Sequence, residues 1–201
     1  MDKVAELPDI RMITISGRIA SGSTTLAKKL SEVLGWKHIE GGEIFWEAVK
    51  SKLGLAEKDT NLRPDKEDEE FDKSLKKTLR EGKNLILETK LAAFNAQGIP
   101  GVFKIAVVCD DEDGNDQTQI RIDRLVNREK LSIEKAKEEA VVREKNDIEK
   151  WRRIYTKNDK NWTYWDKKYY DLVINTYSKN QEETLKLALK AVGYELPLDK
   201  P

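Results

Sequence analysis

The sequence predicts an α/β fold in which helices cover both faces of a five-stranded parallel sheet. Five short apolar runs, at residues 12–16, 36–39, 84–88, 103–108 and 172–175, have the length of buried strands. Segments with helical periodicity separate these runs, and this alternation is typical of a parallel sheet with two covered faces. A glycine-rich loop follows the first run, so we expect a ligand at the carboxyl ends of the strands.

That loop, at residues 17–25, reads Gly-Arg-Ile-Ala-Ser-Gly-Ser-Thr-Thr. It matches the phosphate-binding pattern G-x-x-x-x-G-K-[ST] except at Ser23, which stands where the pattern has lysine. In such a P-loop the backbone N–H groups and the following helix N-terminus bind phosphate oxygens, and the last hydroxyl reaches Mg²⁺. Gly17, Gly22 and Thr24 keep these functions, whereas nothing at position 23 supplies the charge of the lysine.

The helical segments carry start and stop signals. After the loop, Leu26, Leu30 and Leu34 recur at helical spacing, and Gly35 is placed to end the helix in the left-handed conformation. Pro64 suits a first helical position. Further helices are predicted at residues 43–53, 64–82, 117–127, 132–155 and 180–192.

Composition limits the class of protein. The 201 residues fit a single domain, 1–201. Lys and Arg number 37, as do Asp and Glu, and a net charge of zero gives no support to nucleic-acid binding. A single cysteine excludes an internal disulfide, and no apolar run approaches the roughly 20 residues that a membrane helix needs. We expect a soluble, cytoplasmic monomer with no nucleic-acid or membrane partner.

Arginines are concentrated after the fourth apolar run. Arg121, Arg124 and Arg128 recur at spacings of three and four, which places them on one side of a helix. Arg143 lies on the next predicted helix, with Asp147 four residues later. Phosphoryl transfer depends on positive charge around the transferred group, and Arg128 and Arg143 flank a hinge that would close on a triphosphate. The alternative is a solvated helix face with i,i+4 ion pairs.

Several segments together resemble the nucleoside monophosphate kinases. They are the P-loop, Gly41-Gly42-Glu43-Ile44-Phe45, Glu88-Thr89-Lys90-Leu91-Ala92, Arg143-Glu144 with Asp147, and Tyr170-Asp171-Leu172-Val173-Ile174-Asn175-Thr176. The chain looks most like the cytidylate kinases of the short archaeal and small-bacterial type, over residues 12–191.

The resemblance implies a P-loop NTPase-type, three-layer fold with a helical arm for the monophosphate at about 42–82 and a lid at about 128–143. It implies ATP and a nucleoside monophosphate as small-molecule substrates, with Mg²⁺ beside Thr24. The expected ATP-phosphate residues are Gly17, Arg18, Ile19, Ala20, Ser21, Gly22, Ser23, Thr24 and Thr25. The expected acceptor residues are Gly42, Trp46, Asp72, Lys90 and Lys150, and the expected catalytic residues are Arg18, Arg128, Arg143 and Asp147.

The chain departs from the family pattern at charged positions. Ser23 replaces the P-loop lysine, and Trp46 replaces an arginine that contacts the monophosphate. Lys90 and Lys150 replace arginines, and a lysine keeps the charge but loses the bidentate fork. Among nearby cations, Arg18 is the expected substitute for the P-loop lysine because it lies in the loop, whereas Lys28 and Lys29 are expected to point to solvent.

Three functions follow from these departures. The first is a working CMP or dCMP kinase with rearranged charges. The second is a nucleotide-binding pseudokinase with weak or absent catalysis. The third is a kinase of a different small acceptor, since Trp46 reshapes the acceptor site.

Overall fold

The computed structural model describes residues 4–195. Five parallel strands form one sheet in the order β2-β3-β1-β4-β5. Their bounds are β1 Met12–Gly17, β2 Lys37–Glu40, β3 Leu85–Glu88, β4 Val102–Val108 and β5 Leu172–Asn175. β1 is central, and its register sets Ile15 beside Glu88 of β3 and Gly17 beside Val107 of β4. The predicted five-stranded parallel sheet is confirmed.

Eight α-helices surround the sheet within the described residues. They are α1 Ser23–Leu34, α2 Gly41–Leu53, α3 Asp65–Glu81, α4 Ala92–Asn95, α5 Thr118–Glu129, α6 Ile133–Lys137, α7 Glu144–Tyr155 and α8 Gln181–Ala191. A π-helical segment, Glu138–Arg143, joins α6 to α7, so the predicted helix at 132–155 is one stretch with a widened turn. Apolar periodicity did not predict this turn, and it missed the single-turn helix α4. Pro64 caps α3 instead of opening it.

Two apolar clusters cover the two faces of the sheet. On one face Ile13 and Ile15 of β1 pack with residues of α1 and α8, among them Leu30 and Leu189. On the other face Met12 packs with residues of α3 and α4. Alternate residues of β1 thus point to opposite faces and are fully buried, as a central parallel strand requires. This burial fixes the end of β1, where the P-loop begins.

An aromatic cluster anchors α7 to the rest of the chain. Trp151 of α7 packs edge-to-face on Tyr164, and Phe94 of α4 packs in the same way on Trp162 and Tyr169. Such pairs add about 0.5–1.5 kcal/mol beyond the area that they bury. The cluster therefore holds α7, which carries Asp147 and Lys150, at a fixed distance from the sheet.

Three further observations concern side chains and helices of the described residues. Cys109 is buried and has a free thiol. No helix within residues 4–195 is long and apolar enough to cross a membrane. The same residues contain no group of three or more His, Cys, Asp or Glu side chains with the geometry of a metal site.

Candidate active site

The P-loop adopts a conformation that its glycines make accessible. Gly22 caps the N-terminus of α1 with φ 111°, in the region that favours glycine. At Gly17 a Cβ would collide with Ser21 Oγ and lie 3.0 Å from the backbone oxygen of Val107. The first turn of α1 thus follows a tightly folded loop, the arrangement that presents backbone N–H groups to an anion.

Two arginines of α5 hold the P-loop from outside. Arg121 Nη1 donates to the backbone oxygen of Ile19 at 2.8 Å, and Arg124 Nη1 donates to that of Ser21 at 3.2 Å. Arg124 also binds Thr176 after β5, with Nη2 2.9 Å from the backbone oxygen. Arg121 is fully buried, so a solvated helix face is wrong for this residue.

Arg18 lies in an ion-pair network. Its guanidinium contacts Glu144 Oε1 at 2.5 Å and Asp116 Oδ1 at 3.0 Å, and its Cζ lies 4.4 Å from the ring centroid of Trp165. Arg121 binds the same two carboxylates. The side chain of Arg18 borders the cleft, but two carboxylates already balance its charge. The expected role of Arg18 in place of the lysine stays a prediction, and it would require the guanidinium to share its charge with these carboxylates.

Two other cations near the P-loop, Lys28 and Arg128, have fewer carboxylate partners than Arg18. Lys28, one turn after Thr24 on α1, lines the same cleft as Ser23 and makes no ion pair within the described part of the chain. It is exposed, as expected, but it faces the cleft instead of open solvent. Arg128 also lines the cleft, with Nη1 3.4 Å from Thr25 Oγ1, and its carboxylate partner is the exposed Glu129.

A hydroxyl and a carboxylate meet beside the P-loop. Thr24 Oγ1 donates to Glu88 Oε1 at 2.6 Å, and His38 Nε2 lies 3.1 Å from Glu88 Oε2. Burial, then the charge of Glu88, raises the pKa of the neighbouring Glu40. Mg²⁺ in phosphoryl-transfer sites takes one or two protein oxygens and completes its shell with water and phosphate. Thr24 and Glu88 fit such an ion, and the sequence pattern had identified only Thr24.

One cleft of about 1070 Å³ runs from the P-loop to the helices that carry Trp46 and Asp72. Ser23 and Thr24 line one end, and Trp46 and Asp72 line the other. The remaining expected residues on its wall are Gly17, Arg18, Ile19, Ala20, Gly42, Lys90, Arg128, Arg143 and Asp147. The structure therefore brings most of the predicted residues to a single cleft.

Asp72 of α3 is a buried carboxylate on this wall. Asn95 Nδ2 donates to its Oδ1 at 2.9 Å, whereas its buried Oδ2 has no hydrogen-bond partner in the described chain. Burial raises the pKa of Asp72 to about 6. Oδ2 is fully buried, and the side chain of Tyr155 lies close enough to lower the pKa of the carboxyl.

Asp147 of α7 is surrounded by donors and cations. Lys90 Nζ donates to Oδ2 at 2.6 Å, and Thr60 Oγ1 donates to Oδ1 at 3.1 Å. Burial opposes ionisation, but Lys90 and then Arg143 hold the pKa of Asp147 below its ordinary value. Asp147 therefore holds the ammonium group of Lys90 in position.

Arg143 joins the two sides of the cleft. Its Nη1 contacts Glu139 at 2.6 Å and also Glu57, which precedes α3. Its Cζ lies 5.9 Å from the ring centroid of Trp46. The end of the π-helical segment is thus held against the expected acceptor arm.

Lys150 does not line the cleft, and its expected contact with substrate stays a prediction. Its Nζ is 3.1 Å from Asp68 Oδ2 and donates to the backbone oxygen of Arg63. The side chain is 3% exposed. Arg63, which sequence reasoning missed, does line the cleft. No periodic pattern marks it, because it lies in the irregular segment before α3.

A second cleft of about 470 Å³ lies on the other side of the P-loop. Gly22 and Thr25 line it, together with Arg124, Thr176 and Lys179. The loop after β5 also contacts the P-loop directly, since Thr176 Oγ1 donates to the backbone oxygen of Ser21 at 2.7 Å. The second cleft adjoins the first at Arg128, which lines both.

Solved structures with a similar fold include kinases. A gluconokinase from Sinorhizobium meliloti has a TM-score of 0.54 at 12% identity and covers 94% of each chain. A shikimate kinase from Bacteroides thetaiotaomicron has a TM-score of 0.52 at 12% identity, covering 91% of this chain and 98% of that one. At such identities the likeness bears on the fold alone, and it confirms a P-loop NTPase-type α/β fold.

Sequence comparison is more specific. The cytidylate kinase of Methanopyrus kandleri is 29% identical over 202 residues, which cover 94% of this chain and 97% of that protein. The cytidylate kinase of Methanosarcina barkeri is 31% identical over 188 residues, covering 90% and 95%. The cytidylate kinase-like family matches residues 12–178. The chain belongs to the cytidylate kinase-like family.

Proposed function

We propose that the protein transfers the γ-phosphoryl group of ATP to CMP or dCMP. The observation that carries this proposal is the single cleft with a P-loop at one end and the Asp72 carboxylate at the other. The relatives named as cytidylate kinases support the same substrate class. The proposal includes a monomeric, cytoplasmic enzyme that acts on small nucleotides and not on nucleic acid.

The base preference follows from the chemistry of Asp72. An ionised carboxylate accepts hydrogen bonds and cannot donate them. Cytosine carries an exocyclic amino group, whereas uracil has a carbonyl oxygen at that position. The Asp72 carboxylate would accept from the amino group and repel the carbonyl.

ATP would occupy the P-loop and the second cleft. Backbone N–H groups of residues 17–25 would bind its phosphates, and the loop after β5 would lie beside its base. Thr24 and Glu88 would hold Mg²⁺, which neutralises phosphate charge when bound. Lys28 and Arg128 would supply the charge that Ser23 lacks, since both line the cleft at the P-loop end.

The transfer forms one bond and breaks another. An oxygen of the acceptor phosphate attacks the γ-phosphorus, and the bond from that phosphorus to the β,γ-bridging oxygen breaks, giving ADP and a nucleoside diphosphate. Arg128 and Arg143 would stabilise the charge on the transferring group. The arm at 42–82 and the lid at 128–143 would close to exclude water, with Lys90 kept in place by Asp147.

The test is ATP- and Mg²⁺-dependent phosphorylation of CMP, dCMP, UMP, dUMP, AMP and GMP by the purified protein. We expect turnover of CMP or dCMP, and we expect the Asp72→Asn variant to lose most of its preference for CMP over UMP. Arg80→Ala, an exposed change on α3, is the matched control.

Two other results would replace the proposal. Binding of ATP without turnover of any of these acceptors, reversed by Ser23→Lys, would indicate a nucleotide-binding pseudokinase. Turnover of another acceptor alone would indicate a kinase in which Trp46 has changed the substrate.

A further inference from the structure

The acceptor end of the cleft contains a guanidinium with one edge that makes no hydrogen bond. Arg63 Nε and Nη2 donate to the two oxygens of Asp68 at 2.9 and 2.7 Å. Nη1 makes no hydrogen bond with any described residue. It keeps some solvent-accessible surface. Arg63 lines the cleft, and its side chain is 1% exposed.

The guanidinium is held in one orientation. Its Cζ lies 4.7 Å from the ring centroid of Trp46 and 4.8 Å from that of Phe45. Asp68 fixes the fork in its plane, and Lys150 binds both Asp68 and the backbone oxygen of Arg63. A planar fork that is already ordered loses little conformational entropy when it binds a ligand.

Two arginines approach Trp46 at the acceptor end of the cleft. Arg63 and Arg143 approach the same indole, with their Cζ atoms 4.7 and 5.9 Å from its centroid. Both also act on the charge of Asp147, to which Lys90 is bound. Three cationic side chains thus converge on the wall opposite the P-loop. Each is paired with at least one carboxylate, so the unbonded Nη1 of Arg63, and not a net positive charge, is the feature that suits an anion.

We propose that Arg63 binds the phosphate of the acceptor nucleotide through Nη1, with Trp46 as the surface on which its guanidinium rests. This inference rests on the proposed function, because it names a residue of the same acceptor site. A phosphate monoester offers the oxygen pair that an arginine edge matches. In this chain position 46 would then contribute to phosphate binding through the arginine stacked on it.

Calorimetric titration with CMP and with cytidine tests the assignment, because the two ligands differ only in the phosphate. For Arg63→Ala we expect CMP to bind about 10- to 100-fold more weakly, the effect of one lost charge-assisted hydrogen bond, with cytidine changed less than about 3-fold. Arg63→Lys keeps the charge and loses the fork, so it should lie between. ATP affinity should not change, and Arg80→Ala should match the unaltered protein.

Each other outcome has a defined meaning. Equal losses for CMP and cytidine, or an unchanged affinity for CMP, would overturn the role of Arg63 and leave the proposed function standing. Asp68→Asn breaks the fork but keeps Nη1, so an equal loss in CMP affinity there and in Arg63→Ala would assign Arg63 a structural role. An unaltered protein that does not prefer CMP to cytidine would overturn the acceptor site itself.

Discussion

Thr24 of the P-loop donates a 2.6 Å hydrogen bond to Glu88, the last residue of β3. The parallel register of β1 and β3 brings the two together, since it pairs Ile15 with Glu88 two residues before the loop begins. A hydroxyl and a carboxylate from different elements are thereby positioned at the end of the sheet where a nucleotide would bind. His38 on β2 contacts the other oxygen of Glu88. Residues of β2, β3 and the P-loop thus together position the Glu88 carboxylate and the Thr24 hydroxyl.

Glu88→Gln should lower kcat for phosphoryl transfer by about 10²–10³-fold, the range found when one electrostatic group of an active site is removed. The amide keeps the size of the side chain but carries no charge for a divalent cation. We also expect the Mg²⁺ concentration for half-maximal rate to rise, as measured by steady-state titration. Glu43→Gln, on the same cleft but exposed, is the control, and a Glu88→Gln variant with unaltered Mg²⁺ dependence would contradict this assignment.

Arg124→Ala should weaken ATP binding while leaving the binding of CMP unchanged. The arginine donates to backbone oxygens of the P-loop and of Thr176, so its removal frees the loop from the segment after β5. Hydrogen bonds to charged groups are worth about 1.5–3 kcal/mol, which corresponds to about 10- to 100-fold in ATP affinity. Fluorescence titration with a nucleotide analogue measures this change. An equal effect on both substrates would mean that Arg124 acts on the whole fold.

The P-loop, the five strands and most helix bounds could be predicted because each has a local signal. Gly35 ended α1 as expected, and Asn180 with Glu183 forms a capping box at α8. The partners of charged side chains could not be predicted in this way. Arg18 and Arg121 share Glu144, which is more than 100 residues from Arg18 in the chain, and only the tertiary fold determines that pairing. Sequence spacing likewise gave no reason to choose Arg63 over Lys150.

Glu144→Gln should destabilise the fold by about 3–5 kcal/mol, because removing one partner of a buried ion pair leaves uncompensated charge. Glu144 is buried, and Arg18 and the fully buried Arg121 both bind it. After neutralisation, Asp116 alone would balance the two arginines. Urea denaturation at neutral pH measures the free energy of unfolding. Glu149→Gln, an exposed change on the same helix, should stay within about 0.5 kcal/mol of the unaltered protein, and a Glu144→Gln variant equally close to it would refute the network's role.

Asp72→Asn should make the unliganded protein more stable at pH 7. Burial raises the pKa of Asp72 to about 6 from its ordinary value of 3.8, and hydrogen bonding by Tyr155 and Asn95 offsets only part of this. Between these two pH values the folded state keeps a proton that the unfolded chain has lost, so the free energy of unfolding falls as pH rises from about 4 to about 6. The fall approaches about 3 kcal/mol, since one pKa unit corresponds to about 1.4 kcal/mol.

An asparagine at position 72 does not titrate, so the difference in stability between Asp72→Asn and the unaltered protein should grow across this pH window and then remain constant. Urea denaturation at pH 4, 5, 6 and 7 measures it, with the exposed Asp123→Asn as control. The same variant should bind CMP more weakly, because the Asp72 carboxylate is the acceptor proposed for the amino group. Greater stability combined with weaker binding would mean that the Asp72 carboxylate binds CMP but lowers the free energy of unfolding of the free protein. A variant less stable than the unaltered protein at pH 7 would mean that the ionised carboxylate has stabilising partners in the free protein.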